Sequence, residues 1–75
     1  MTGFRNYKKQ ASFIRERRLE KGLSCQQVAI YADTSRSTII RIEQSGIKRT
    51  DLLHKIAKVL DVNPLTLLEI SSDSM

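Results

Sequence analysis

The feature that most limits how this chain can fold is the interval Ala32-Asp33-Thr34, which separates two helix-like segments. Three residues leave room only for a tight turn, and Asp is among the non-glycine residues that tolerate a left-handed backbone. Upstream, Ser24-Cys25-Gln26-Gln27 is a capping box, with Ser at the N-cap and Gln three residues on. It predicts a helix from Cys25 to about Ala32, with Val28 and Ala29 facing inward. Downstream, Ser35 caps a helix running through Gln44. On that helix Ile39 and Ile42 share one side, while Arg36, Ser37, Ile40, Arg41 and Gln44 share the other. Two helices joined by such a turn make a helix-turn-helix. The second can bury one face and offer a polar, positive one, whose Arg and hydroxyl side chains suit base edges in a DNA major groove.

The rest of the chain supplies helices to pack against this pair. Residues 1–6, with Gly3, Arg5 and Asn6, read as a loose arm. Tyr7, Ala11, Ile14 and Arg18 then recur at helical spacing until Gly22, a residue suited to a helix C-terminus, so helix 1 is expected over Tyr7 to Lys21. Its outward face carries Lys8, Lys9, Arg15 and Arg17. Gly46-Ile47-Lys48-Arg49 is a basic loop. Thr50 is expected to cap helix 4, with Asp51 at its positive end and Leu52, Leu53, Ile56, Ala57, Val59 and Leu60 as its apolar stripe. Asn63-Pro64 is an N-cap followed by Pro at the first helical position, opening a short helix 5 to about Ile70. No strand pattern and no internal repeat occurs. The expected fold is all-α: five helices, with residues 1–9 as arm and start of helix 1, 10–70 as one domain and 71–75 as a polar tail.

Seventy-five residues allow one modest core. Lys and Arg outnumber Asp and Glu 13 to 8, a net charge of +5 that fits either a polyanionic partner or a well-solvated surface. The one cysteine, Cys25, excludes an intramolecular disulfide, and with His54 as the sole histidine no metal site and no cofactor is expected. The chain has no paired carboxylates beside a His, no Gly-rich phosphate loop and no nucleophile motif, which argues against an enzyme and gives no sign of a small-molecule ligand. Without a long apolar run there is no signal peptide or membrane span to expect. The reading is of a reduced, cytoplasmic protein, in a prokaryotic nucleoid or phage-encoded in a host.

Over residues 10 to 70 the sequence resembles the phage repressor and Cro type of helix-turn-helix domain. The resemblance rests on Ile14 and Arg18, Gly22-Leu23-Ser24, Val28-Ala29, Ser35, Ile39 and Ile42-Glu43. It continues through Leu53, Ile56-Ala57, Leu60-Asp61-Val62 and Leu67-Leu68. It implies that Arg36, Ser37 and Arg41 read bases, and that Cys25, Gln26, Lys48 and Arg49 grip phosphates. Gln44 joins the phosphate set. Arg18 and Glu43 match a family ion pair between helix 1 and the recognition helix. Three positions depart from the pattern: Asp33 where Gly is usual, Thr34 where an apolar plug is common, and Cys25 where a Gln often buttresses the first recognition residue.

Some residues carry two readings. Ile40 either touches a thymine methyl or is a tolerated exposed apolar residue. Cys25 is either an ordinary helix-start residue or, through a lowered thiol pKa, a redox switch. His54 reads as solvent-facing. The function expected is sequence-specific binding of double-stranded DNA by a transcriptional regulator, akin to a stand-alone Cro-like repressor or controller. The alternative is an antitoxin-like protein-interaction module. A homodimer on a palindrome is expected, through Val62, Leu65, Leu68 and Ile70, with Phe4 and Tyr7 of the arm packing there too.

Overall fold

The computed structural model describes residues 7–71. It has five helices: α1 Tyr7–Glu20, α2 Cys25–Tyr31, α3 Arg36–Ser45, α4 Thr50–Leu60 and α5 Pro64–Ser71. Each begins or ends within a residue or two of where its signals place it. Among the described residues no strand occurs and no helix is long and apolar enough to cross a membrane. Phe4 lies outside the described residues.

One core joins the helices. Ile14 of α1, Val28 and Ala29 of α2, Ile39 and Ile42 of α3, Leu53, Ile56, Ala57 and Leu60 of α4, and Leu67 of α5 are all buried in a single cluster. Each fully buried Ile or Leu side chain contributes about 1.5–3 kcal/mol. The small Ala29 and Ala57 let the backbones of α2 and α4 approach the cluster closely. Ile47 joins the core at 3% exposure, although its loop reads as basic.

Several local assignments are corrected. The N-cap of α4 is Arg49 without a side-chain cap hydrogen bond, and Thr50 is its first helical residue. Arg17 does not simply face solvent: its guanidinium bonds Glu20 at 2.9 Å and the Leu60 carbonyl at 3.2 Å, so it closes the C-terminal end of α4, where a cation is favoured. Tyr7 opens α1 and lies against Gly46 and Lys48. Gln10, a polar residue on the inward stripe of α1, is fully buried.

Candidate nucleic-acid interface

Each helix of the helix-turn-helix is capped at its start by a serine. Ser24 Oγ accepts from Gln27 N–H at 3.0 Å while Gln27 Oε1 accepts from Ser24 N–H at 2.8 Å. These reciprocal bonds leave the outward-pointing amides of Cys25 and Gln26 as the open donors at the start of α2. The Cys25 side chain is partly buried against the edge of the core. Between the helices Asp33 takes a left-handed backbone, φ +57, and Thr34 N–H reaches back to the Ala29 carbonyl at 2.8 Å. Ser35 Oγ then accepts from Thr38 N–H and also meets the hydroxyls of Ser37 and Thr38, at 3.2 and 2.8 Å.

Opposite the buried Ile39 and Ile42, α3 exposes Arg36, Ser37, Arg41 and Gln44, with Ile40 half-buried among them. No carboxylate of the described residues pairs with Arg36 or Arg41. Ser37 is drawn toward the cap, and whichever hydroxyl donates in that contact, Ser37 Oγ keeps a lone pair for a further partner. The acidic residue of this helix, Glu43, is turned inward. Its carboxylate takes two hydrogen bonds from Arg18, at 2.6 and 3.0 Å, and Arg18 also donates to the Leu23 carbonyl at 2.8 Å. The side chains of the pair are only 11% and 8% exposed. The bond to Glu43 raises the Arg18 pKa above its ordinary value, against an opposing effect of burial.

The flank of α3 that faces α4 is concave. A cleft of about 260 Å³ is lined by Asp33, Thr34, Thr38, Arg41, Arg49, Asp51, Leu52 and Lys55. A second, of about 190 Å³, shares Arg41 and Arg49 and extends to Lys48. Arg41, Lys48 and Arg49 are thus brought together, whereas Arg36, Ser37, Gln44, Cys25 and Gln26 line neither cleft. Lys55 is a further cation that sequence reasoning passed over; its place one turn after Asp51 on α4 was the available signal. The loop cations already have partners. Lys48 Nζ lies 5.4 Å from the centroid of the Tyr7 ring, and Arg49 bonds Asp51 at 3.0 Å. Asp51 is held below the usual carboxylate range, first by the Leu52 backbone N–H and then by Arg49.

The residues expected to pair two copies are placed unequally. Leu65 is 60% exposed, while Val62 and Leu68 are half-buried against the core and act as part of its lid. Ile70 lines a shallow groove with Lys9, Ser12, Phe13 and Glu16. His54 is exposed, its Nδ1 2.9 Å from the Thr50 carbonyl. Among the described residues no cluster of His, Cys, Asp or Glu could hold a metal ion.

The profile of a family described as helix-turn-helix matches residues 14–67. The chain is similar to the restriction-modification controller protein C.AhdI from Aeromonas hydrophila, at 29% identity and a TM-score of 0.75 over 81% of this chain and 94% of that one. It is similar to SinR, the master regulator for biofilm formation, solved in complex with DNA, at 33% identity and a TM-score of 0.72 over 79% of this chain and 97% of that one. The N-terminal DNA binding domain of SinR, from Bacillus subtilis, gives the same identity. PlcR of Bacillus thuringiensis, in complex with the peptide PapR7 and DNA, matches at 26% identity and a TM-score of 0.76, over 84% of this chain and 22% of that one. A comparison with curated proteins finds no match.

Proposed function

The chain belongs to the helix-turn-helix family, and we propose that it is a sequence-specific double-stranded DNA-binding transcriptional regulator that works as a dimer on a palindromic site. The observation that carries this reading is the outward face of α3, cationic and polar, backed by a buried Ile39–Ile42 face and an inward-locked Glu43. In this reading α3 lies in the major groove. Arg36 and Arg41 address base edges, with Arg suited to guanine O6 and N7, and Ser37 and Ile40 complete the face. Lys48, Arg49, Gln44 and the amides of Cys25 and Gln26 hold the backbone, with Lys55 beside them. Arg49 then exchanges Asp51 for phosphate. A protein-interaction module would call for a broad apolar patch on this face, and Ile40 is its only apolar residue.

Selection of bound duplexes from a random pool tests the reading, since half-site sequence and spacing emerge together. On the selected site, log affinity should fall linearly with log salt, by about 0.9 per neutralised phosphate. Lys48→Ala with Arg49→Ala should weaken all duplexes alike and flatten that slope. Arg36→Ala should cost about 1–3 kcal/mol on the preferred site and relax the choice of base there. A pool that returns no enriched sequence would falsify the sequence-specific reading.

A further inference from the structure

We propose that Gln10 is a positioning residue for the grip on the DNA backbone, its buried amide holding the basic loop 46–49 in place against α1 and α5. The proposal rests on the DNA-binding reading above and adds to it a residue outside the surface that would meet DNA. Gln10 is fully buried. Its Oε1 accepts from the Ile47 backbone N–H at 2.7 Å, and its Nε2 donates to the Leu67 carbonyl of α5 at 3.0 Å. The two partners dictate the amide's orientation: an N–H needs an acceptor and a carbonyl needs a donor, so only this way round satisfies both.

The loop has reason to depend on that bond. Ile47 turns its side chain into the core, which takes its backbone N–H away from water, and a buried donor left unmade costs about 1–3 kcal/mol. The residues on either side also touch the first turn of α1. Gly46, at φ +84, lies so close that an added Cβ would come within 2.8 Å of both Tyr7 Cβ and the Tyr7 carbonyl oxygen. The Lys48 ammonium sits over the Tyr7 ring. Lys48 and Arg49 follow Ile47 directly, so the point at which Gln10 grips the backbone sets where both cations start. Phosphates occupy fixed positions along a duplex, and a loop free to drift would present the same charges less often in register. The loss should therefore fall on every sequence alike, without altering base preference.

Gln10→Met keeps the length of the side chain and removes both hydrogen bonds. In the full chain, below its melting temperature, preferred and random duplexes should both bind about 2- to 12-fold more weakly, the worth of one hydrogen bond. The salt slope should shrink as well, by about 0.9 for each phosphate no longer neutralised. In the Lys48→Ala, Arg49→Ala background the same substitution should change affinity by less than about 2-fold, because its effect runs through those cations. An equal loss in both backgrounds, or unchanged affinity in the folded variant, overturns the proposal. Hydrogen exchange on the wild type supplies a test that needs no variant: the Ile47 amide should be protected like the buried amides of α5. An Ile47 amide that exchanges as fast as that of Lys48 overturns the proposal too. A wild type without salt-dependent duplex binding would sink the DNA-binding reading and this inference with it. A wild type that binds while Gln10→Met binds equally sinks this inference alone.

Discussion

Glu43 is an acidic side chain on a helix whose outer face is cationic, and Arg18 is what turns it inward. The paired side chains are 11% and 8% exposed and share two hydrogen bonds, with a third from Arg18 to the Leu23 carbonyl. Removing one partner of such a pair leaves a charge without its counterion in a poor dielectric, so Glu43→Ala should destabilise the fold by about 3 kcal/mol in a denaturant melt. A loss under about 1 kcal/mol would class the pair with ordinary surface bridges. The raised Arg18 pKa means that its contribution is present below the usual Arg value and lost only as pH climbs past the raised one, beyond ordinary working pH. Asp51 has the opposite sign. Its lowered pKa contributes stability above the usual carboxylate range, lost as pH falls through the lowered value. An NMR titration should place the Asp51 midpoint below that of an unstructured Asp.

Three of the helices end in one way. Past α1, α2 and α4 the chain steps into a left-handed residue, Gly22 at φ +70, Asp33 at +57 and Asp61 at +60. The next N–H in each case, that of Leu23, Thr34 or Val62, reaches five residues back to Arg18, Ala29 or Ala57. This is the Schellman arrangement, which satisfies carbonyls that a helix end would otherwise leave open. Glycine adopts the conformation freely, whereas Asp bears part of the roughly 1–2 kcal/mol steric cost of an L-residue there. Asp33→Gly should therefore raise stability by about 0.5 kcal/mol, and Gly22→Ala should lower it by about 1 kcal/mol. No atom lies within 4 Å of a Cβ added at Gly22, so that loss would be backbone strain alone. Denaturant midpoints at constant slope read both changes, and an unchanged Gly22→Ala midpoint would refute the strain at this position.

A single recognition helix reaches only a few base pairs, which is why the whole molecule is proposed to act in pairs. Two copies about a dyad would place their α3 helices one helical turn apart, roughly 34–36 Å, on a palindrome. On α5 the side chain that stands out for such pairing is Leu65; Val62 and Leu68 are occupied in closing the core of their own chain. Leu65→Lys should thus yield a folded monomer by mass in solution and weaken binding to the full palindrome while sparing the half-site. Equal affinity of the wild type for one half-site and for the palindrome would end the dimer proposal.

Periodicity, caps and one short turn determined all five helices and which face of α3 is buried, because those are decided by spacing within a few residues. Ser24, Asp33, Ser35 and Pro64 act on their immediate neighbours, and their consequences can be read locally. The Arg18–Glu43 pairing came from family resemblance, and its two hydrogen bonds came from the fold. What the tertiary structure alone decided involves partners far apart in the chain. Gln10 reads as a polar residue until Ile47 and Leu67, 37 and 57 positions away, close around it. Arg17 reads as solvent-facing until the end of α4 arrives with an open carbonyl at Leu60. The N-cap of α4 is Arg49, one residue before the Thr50 hydroxyl that the sequence pattern points to, and it makes no side-chain cap hydrogen bond. A buried polar atom or an open helix end acquires its partner from whichever element packs there, and local spacing carries no record of that choice.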